Sequence, residues 1–144
     1  METVQILLIE DNEGDILLTT EAFEEAKIAN QITVIRNGKE AIDYLFKKGK
    51  FENAISPDLI LLDVNLPLKS GHEILDEIKK DERTRQIPVI MLTTSSSKKD
   101  IDLAYQKSAN CYITKPVEVD KFMEAVGSIE NYWFQLVKLP TNPT

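Results

Sequence analysis

The sequence predicts an α/β fold: a five-stranded parallel sheet, doubly wound, with five helices in a three-layer sandwich. Three observations carry this. Short apolar runs alternate with amphipathic stretches five times, strand then helix, the pattern of a parallel sheet covered by crossover helices. The run Leu59–Leu62 does not alternate with polar residues, as befits a strand covered on both faces. The connections are short, and right-handed crossovers favour a doubly wound sheet. Spacing alone leaves the order of the strands open.

Each element has its own signal. Gln5 to Glu10 reads as a buried strand, followed by a turn at Asp11-Asn12-Glu13-Gly14. Asp15 to Lys27 has helical spacing, with Ile16, Leu17, Phe23 and Ala26 on one face. β-Branched residues mark Gln31 to Arg36 as a strand, and Asn37-Gly38 is a turn signal. Lys39 to Lys48 is helical, with Ala41, Ile42, Leu45 and Phe46 in register, and Gly49 to Pro57 is a polar connector. Leu59 to Asp63 is the most apolar strand and is expected at the centre of the sheet. Ser70 to Asp81 forms a helix with Ile74, Leu75 and Ile78 inward and His72 facing solvent. Pro88 opens the fourth strand, where its missing N–H is tolerated. A weaker helix over Ser97 to Ala109 and a strand over Cys111 to Lys115 come next. Val117 to Val137 is a long last helix, with Val119, Phe122, Val126, Ile129 and Trp133 at steps of three and four.

The 144 residues suit one domain, expected over residues 3–137, with a short tail over 138–144. The net charge of −7 argues against non-specific binding to nucleic acid or to an anionic membrane, both of which need a basic surface. No apolar run is long enough to span a membrane, and no secretory signal stands at the N-terminus. One cysteine, Cys111, cannot form an internal disulfide, which fits a cytoplasmic location. The single histidine leaves no basis for a multi-histidine metal site.

The chemistry lies where the apolar runs stop. They end at Glu10-Asp11, at Asp63, at Thr93 and at Lys115-Pro116. In an open parallel sheet, ligands bind beyond the carboxyl ends of the strands, so these residues meet at one edge. Carboxylates about 4 Å apart repel by roughly 4 kcal/mol at an effective dielectric of 20, which a bound cation relieves. Oxygen donors favour Mg2+, which also takes phosphate oxygens. Asp63, at the end of the central strand, is the natural nucleophile for an aspartyl-phosphate. Lys115 and a cation then neutralise the phosphoryl oxygens, and Thr93 offers one of them a hydroxyl. Each residue has an ordinary alternative: a capping acid for Asp63, solvated turn acids for Glu10 and Asp11, a cap in the Thr93–Ser97 run, a surface lysine for Lys115 and a packed ring for Tyr112.

The segments Leu8-Ile-Glu-Asp-Asn12, Asp58–Pro67, Ser70-Gly71, Pro88–Thr93 and Tyr112-Ile-Thr-Lys-Pro116 together resemble the receiver domains of two-component response regulators, from Thr3 to Gly127. The resemblance implies the flavodoxin-like, CheY-like fold and a set of roles. Asp63 matches the phosphoacceptor. Asp11 matches a direct Mg2+ ligand, Glu10 its neighbour acting through water, and Asn65 the backbone carbonyl that completes the metal site. Thr93 and Tyr112 match the switch pair and Lys115 the phosphate-binding lysine. The Lys115–Pro116 peptide bond is expected to be cis.

The implied function is that of a single-domain response regulator phosphorylated by a sensor histidine kinase, an enzyme only towards its own acyl phosphate. The connector Lys47 to Pro57, the segment Asn110-Cys-Tyr-Ile-Thr-Lys115 and the aromatic end of the last helix carry a finer resemblance, to stand-alone receivers that partner phytochrome-type kinases. These tend to dimerise through the last helix, so a homodimer through Val119, Phe122 and Trp133 is expected. Two other readings stand beside it. A pseudo-receiver would keep the fold without switching on phosphate, but it would have lost an acid or the lysine. A small-molecule phosphatase would carry a second acid two residues after its nucleophile, where this chain has Asn65.

Overall fold

The computed structural model describes residues 3–25, 30–93, 111–121 and 124. Five parallel strands form one sheet: β1 (Val4–Ile9), β2 (Asn30–Ile35), β3 (Leu59–Asp63), β4 (Val89–Thr93) and β5 (Cys111–Thr114), in the spatial order β2-β1-β3-β4-β5. The strand expected at the centre, β3, lies there, paired with β1 through Ile6↔Leu59 and with β4 through Ile60↔Val89. The winding direction reverses between β1 and β3, and the crevice beyond their carboxyl ends is the ligand position of such sheets.

Strand periodicity divides the core into two layers. Val4, Ile6, Leu8, Leu59, Leu61, Ile90, Leu92 and Ile113 pack with Ile16, Ala22 and Phe23 of helix α1 (Glu13–Glu25) and with Val117. The alternate residues Leu7, Ile9, Ile60, Leu62, Val89 and Met91 pack against helices α2 (Gly38–Leu45) and α3 (Gly71–Lys80). All of β3 is buried, and each of its apolar side chains contributes about 1.5–3 kcal/mol by burial. The resulting three layers are the architecture expected from the sequence. Residues 119–121 and 124 are helical. The helix expected over 97–109 and most of the last helix, including Phe122 and Trp133, lie outside the described residues, as do Ala26 and Lys27 at the expected end of the first helix.

Three local expectations are corrected. Helix α1 begins at Glu13, because Asn12 caps it: the Asn12 side-chain oxygen accepts from Asp15 N at 2.9 Å. Its buried stripe runs Ile16, Thr19, Ala22 and Phe23, and Leu17 is 58% exposed, since each residue turns about 100° from the last. Helix α2 is shorter than expected. Asn37 is its cap, accepting from Glu40 N at 2.8 Å, and the helix stops at Leu45, just before Lys47 takes a φ of 55°. The connector that follows holds a short 3-10 turn (Gly49–Phe51), whose Phe51 ring meets Tyr44 edge-on at 5.4 Å. His72 is half-buried, with both ring nitrogens shielded from solvent, because the second residue of α3 lies against the protein.

The loop between β3 and α3 contains a strained residue. Leu68 has φ of 70°, and Lys69 N donates to Pro67 O at 2.8 Å, which makes a γ-turn of the rare positive-φ kind. The leucine side chain is 79% exposed and returns little by burial. A left-handed conformation costs a non-glycine residue about 1–2 kcal/mol, against roughly 0.4–1 kcal/mol of extra unfolded-state entropy for glycine. Leu68→Gly is therefore expected to raise stability by about 0.5–1 kcal/mol. A urea midpoint that fails to rise counts against this strain. The loop then enters α3 through a capping box, in which Ser70 Oγ accepts from Glu73 N and the Glu73 carboxylate accepts from Ser70 N, both at 3.2 Å.

Candidate functional site

Backbone bonds carry the sheet one step past its strands and fix the residues that follow. Glu10 N donates to Ile35 O at 3.0 Å, Val64 N to Leu92 O at 2.9 Å and Lys115 N to Thr93 O at 2.6 Å. Glu10, Asp63 and Lys115 are thus set on the rigid edge of the sheet, at its reversal point.

There the three meet. Lys115 Nζ lies 2.8 Å from Glu10 Oε1, 2.9 Å from Asp15 Oδ2 and 3.2 Å from Asp63 Oδ1. The Lys115 side chain is 6% exposed, and those of Glu10 and Asp63 are 0% and 3% exposed. Asp11 stands exposed at the mouth. Two backbone donors serve the acids: Asn65 N to Asp63 Oδ1 and Asn12 N to Glu10 Oε2, both at 3.3 Å.

The electrostatics follow from this crowding. The Glu10 carboxyl is pushed up to about 7 in all: burial raises it most, the Lys115 bond pulls it back, and the neighbouring Asp63 adds to the rise. For Lys115, burial works against the charge, yet the bonds to Glu10 and Asp15 and the charge of Asp63 raise its pKa above the ordinary lysine value. Glu10, Asp11 and Asp63 each place a carboxylate oxygen within 4.8 Å of the others. Four acids, counting Asp15, face one ammonium, so the cluster holds excess negative charge. An all-oxygen donor set of this kind fits a hard divalent cation, which would supply the missing positive charge.

Thr93 is 4% exposed and pairs with Thr114 across β4 and β5. Tyr112 pairs with Met91, which lies two residues before Thr93 on the same face of the sheet. The half-buried Tyr112 ring packs on the layer that holds α2 and α3. The Lys115–Pro116 bond is cis. Gly71 is the tightest point of the site's frame: a methyl group there would overlap the Asp63 carbonyl oxygen and come within 2.9 Å of Val64 Cα.

The edge of the sheet therefore gathers Glu10, Asp11, Asp63, Thr93 and Lys115, where the apolar runs stop; Asn65, which the resemblance added, follows Asp63 by two residues and its N–H bonds the Asp63 carboxylate. Asp15 is the residue that reading missed. Its signal was the spacing Asn12-x-x-Asp15, a capping pattern that starts the helix early and sets Asp15 in the first turn, beside the strand ends.

Comparison with known proteins agrees with this geometry. Residues 6–127 match the response regulator receiver domain family. The chain is 39% identical over 135 residues to the response regulator Rcp1 of Synechocystis sp., covering 94% of this chain and 92% of that protein. A solved structure of Rcp1 in its Mn2+-bound form superposes with a TM-score of 0.78 at 40% identity, covering 95% of this chain and 99% of that one. The bacteriophytochrome response regulator RtBRR gives a TM-score of 0.83 at 37% identity, covering 92% and 81%. The phosphorylated cyanobacterial phytochrome response regulator RcpA gives 0.78 at 42% identity, covering 92% and 95%. Among the described residues no helix is long and apolar enough to cross a membrane. With its strand order, its acidic crevice and these matches, the chain belongs to the response regulator receiver domain family.

Proposed function

We propose that Asp63 accepts a phosphoryl group from a phosphohistidine of a sensor histidine kinase and that the modified domain then presents a changed surface. The observation that carries this reading is the position of Asp63: buried at the end of the central strand, within 3.2 Å of a lysine and among three further acids. In the transfer, a carboxylate oxygen of Asp63 bonds to phosphorus while the P–N bond breaks and its electron pair returns to the imidazole. Lys115 donates to a phosphoryl oxygen, and the Thr93 hydroxyl donates to another. Asp11, Asp63 and the backbone carbonyl of Asn65 would hold Mg2+, with Glu10 acting through water. When bound, the cation supplies positive charge to the phosphoryl oxygens. Attack by water at phosphorus later frees inorganic phosphate, which makes the domain an enzyme towards itself only.

Thr93 and Tyr112 form the proposed switch pair. Phosphate adds charge that biases a two-state surface through them. The receiver spans residues 3–137 in this reading, with a tail over 138–144, in the cytoplasm. The names of RtBRR and RcpA favour a phytochrome-type kinase as donor. A homodimer through Val119, Phe122 and Trp133 is the proposed output, with no nucleic acid or membrane involved. No observation favours the pseudo-receiver alternative, since the acids and the lysine are all present.

Beryllofluoride, which imitates the acyl phosphate, tests the reading without the kinase. Fluorine NMR is expected to show saturable binding that requires Mg2+. Asp63→Asn is expected to lose this binding and all labelling by acetyl phosphate. Full labelling of the variant would overturn the assignment. Light scattering in the same titration reports the output, and the mass of a single chain throughout removes the dimer.

A further inference from the structure

Asp15 has no part in the scheme above, yet it grips the lysine on which that scheme depends. Its Oδ2 lies 2.9 Å from Lys115 Nζ, about as near as Glu10 at 2.8 Å and nearer than Asp63 at 3.2 Å. Of the ammonium's three protons, one goes to Glu10 and one to Asp15, while Asp63 faces it as an ion pair. The acid is also built into place. Its own N–H bonds the Asn12 side chain at 2.9 Å, and Ile16 N bonds Asn12 O at 2.9 Å, so the first turn of α1 is pinned beside the strand ends. The other acid of that turn, Glu13, pairs instead with Arg36 at 2.7 Å.

We infer that Asp15 is a positioning residue, a resting anchor for Lys115 that a phosphoryl group on Asp63 must displace. The inference rests on Asp63 being the phosphoacceptor. It has two consequences of opposite sign. Without the Asp15 charge, Lys115 is freer to bond the phosphoryl oxygens, so the phosphorylated state and its beryllofluoride mimic are favoured. The same freed ammonium settles more firmly on Glu10 and Asp63, where it competes with a divalent cation, so metal affinity falls. A merely structural role would shift both affinities the same way.

The test compares the full chain with Asp15→Asn and, as a control that removes a charge from the same turn, Glu13→Gln. Calorimetry measures Mg2+ affinity, and fluorine NMR measures beryllofluoride affinity at saturating Mg2+. Asp15→Asn is expected to bind Mg2+ about fivefold more weakly and beryllofluoride about fivefold more tightly, the scale of one partly exposed charge-assisted bond. Glu13→Gln is expected to leave both unchanged. Nitrogen NMR of the metal-free protein should show the Lys115 ammonium resonance shifted in Asp15→Asn alone. Beryllofluoride binding that is unchanged or weaker, or an unmoved ammonium resonance, overturns the inference. A wild type that does not bind beryllofluoride removes the phosphoacceptor reading instead. If a thermal melt shows Asp15→Asn unfolded, Asp15→Ala, which suits a helix better, carries the same comparison.

Discussion

Lys115→Met is expected to lower stability by about 3 kcal/mol in metal-free buffer, and Mg2+ is expected to restore more stability to the variant than it adds to the wild type. The lysine is the one cation paired with Glu10, Asp15 and Asp63 among the described residues, and its side chain is 6% exposed. Removing one partner of a buried ion pair costs about 3–5 kcal/mol, because the remaining charge stays desolvated. The low end applies here. Glu10 already has its pKa pushed up to about 7 and can take a proton, and Asp15 is 25% exposed and can turn to water. Methionine keeps most of the apolar stem, which isolates the effect of charge. A divalent cation then supplies what the ammonium no longer does, and at 100 times its dissociation constant it adds about 2.7 kcal/mol. Urea midpoints with and without Mg2+ measure both effects. A variant as stable as the wild type without metal would mean that Lys115 does not pair this cluster.

The parallel sheet was legible because burial on both faces leaves an unmistakable run such as Leu59–Leu62, and because strand ends in such a sheet share one edge. The four ends at Glu10, Asp63, Thr93 and Lys115 could therefore be brought together without knowing the strand order, which depends on which crossovers lie side by side. Helix starts were harder to place. Asn12 and Asn37 serve equally well in turns and as caps, and only their bonds to Asp15 N and Glu40 N decide between these. The missed cap also hid Asp15, since a helix taken to start at Asp15 lacks the Asn12 bond that holds this residue beside the strand ends. Leu17 shows a different limit. One apolar residue beside a buried stripe satisfies a periodicity count, but a 100° step carries it to the surface. Positive φ at Leu68 and Lys47 has no signal in residue type, as neither is a residue that favours it.

Gly71→Ala is expected to cost about 2 kcal/mol and to slow labelling of Asp63 by roughly 100-fold. Serine and glycine before a helix read as a cap and an opening, so the sequence assigns Gly71 no more than a permissive role. The packing gives it a stricter one. Gly71 N donates to Val64 O at 3.0 Å, which draws the start of α3 onto the backbone that carries Asp63. A methyl group there overlaps the Asp63 carbonyl oxygen and approaches Val64 Cα to 2.9 Å and the Asp63 carbonyl carbon to 3.0 Å. All three are backbone atoms, so no side chain can rotate away. Overpacking costs about 1–3 kcal/mol, and alanine recovers up to about 1 kcal/mol of helix propensity. Relief can come only from moving α3 or the Asp63–Val64 backbone. A displacement of about 1 Å at a reacting group costs about 100-fold in rate. Gly14→Ala is the control. A methyl at Gly14 meets only Asn12 Oδ1, at 3.3 Å, so that variant should keep both stability and labelling. The urea midpoint and the initial rate of labelling by acetyl phosphate are the measurements. Labelling at the wild-type rate in Gly71→Ala would show that α3 can retreat without taking Asp63 with it.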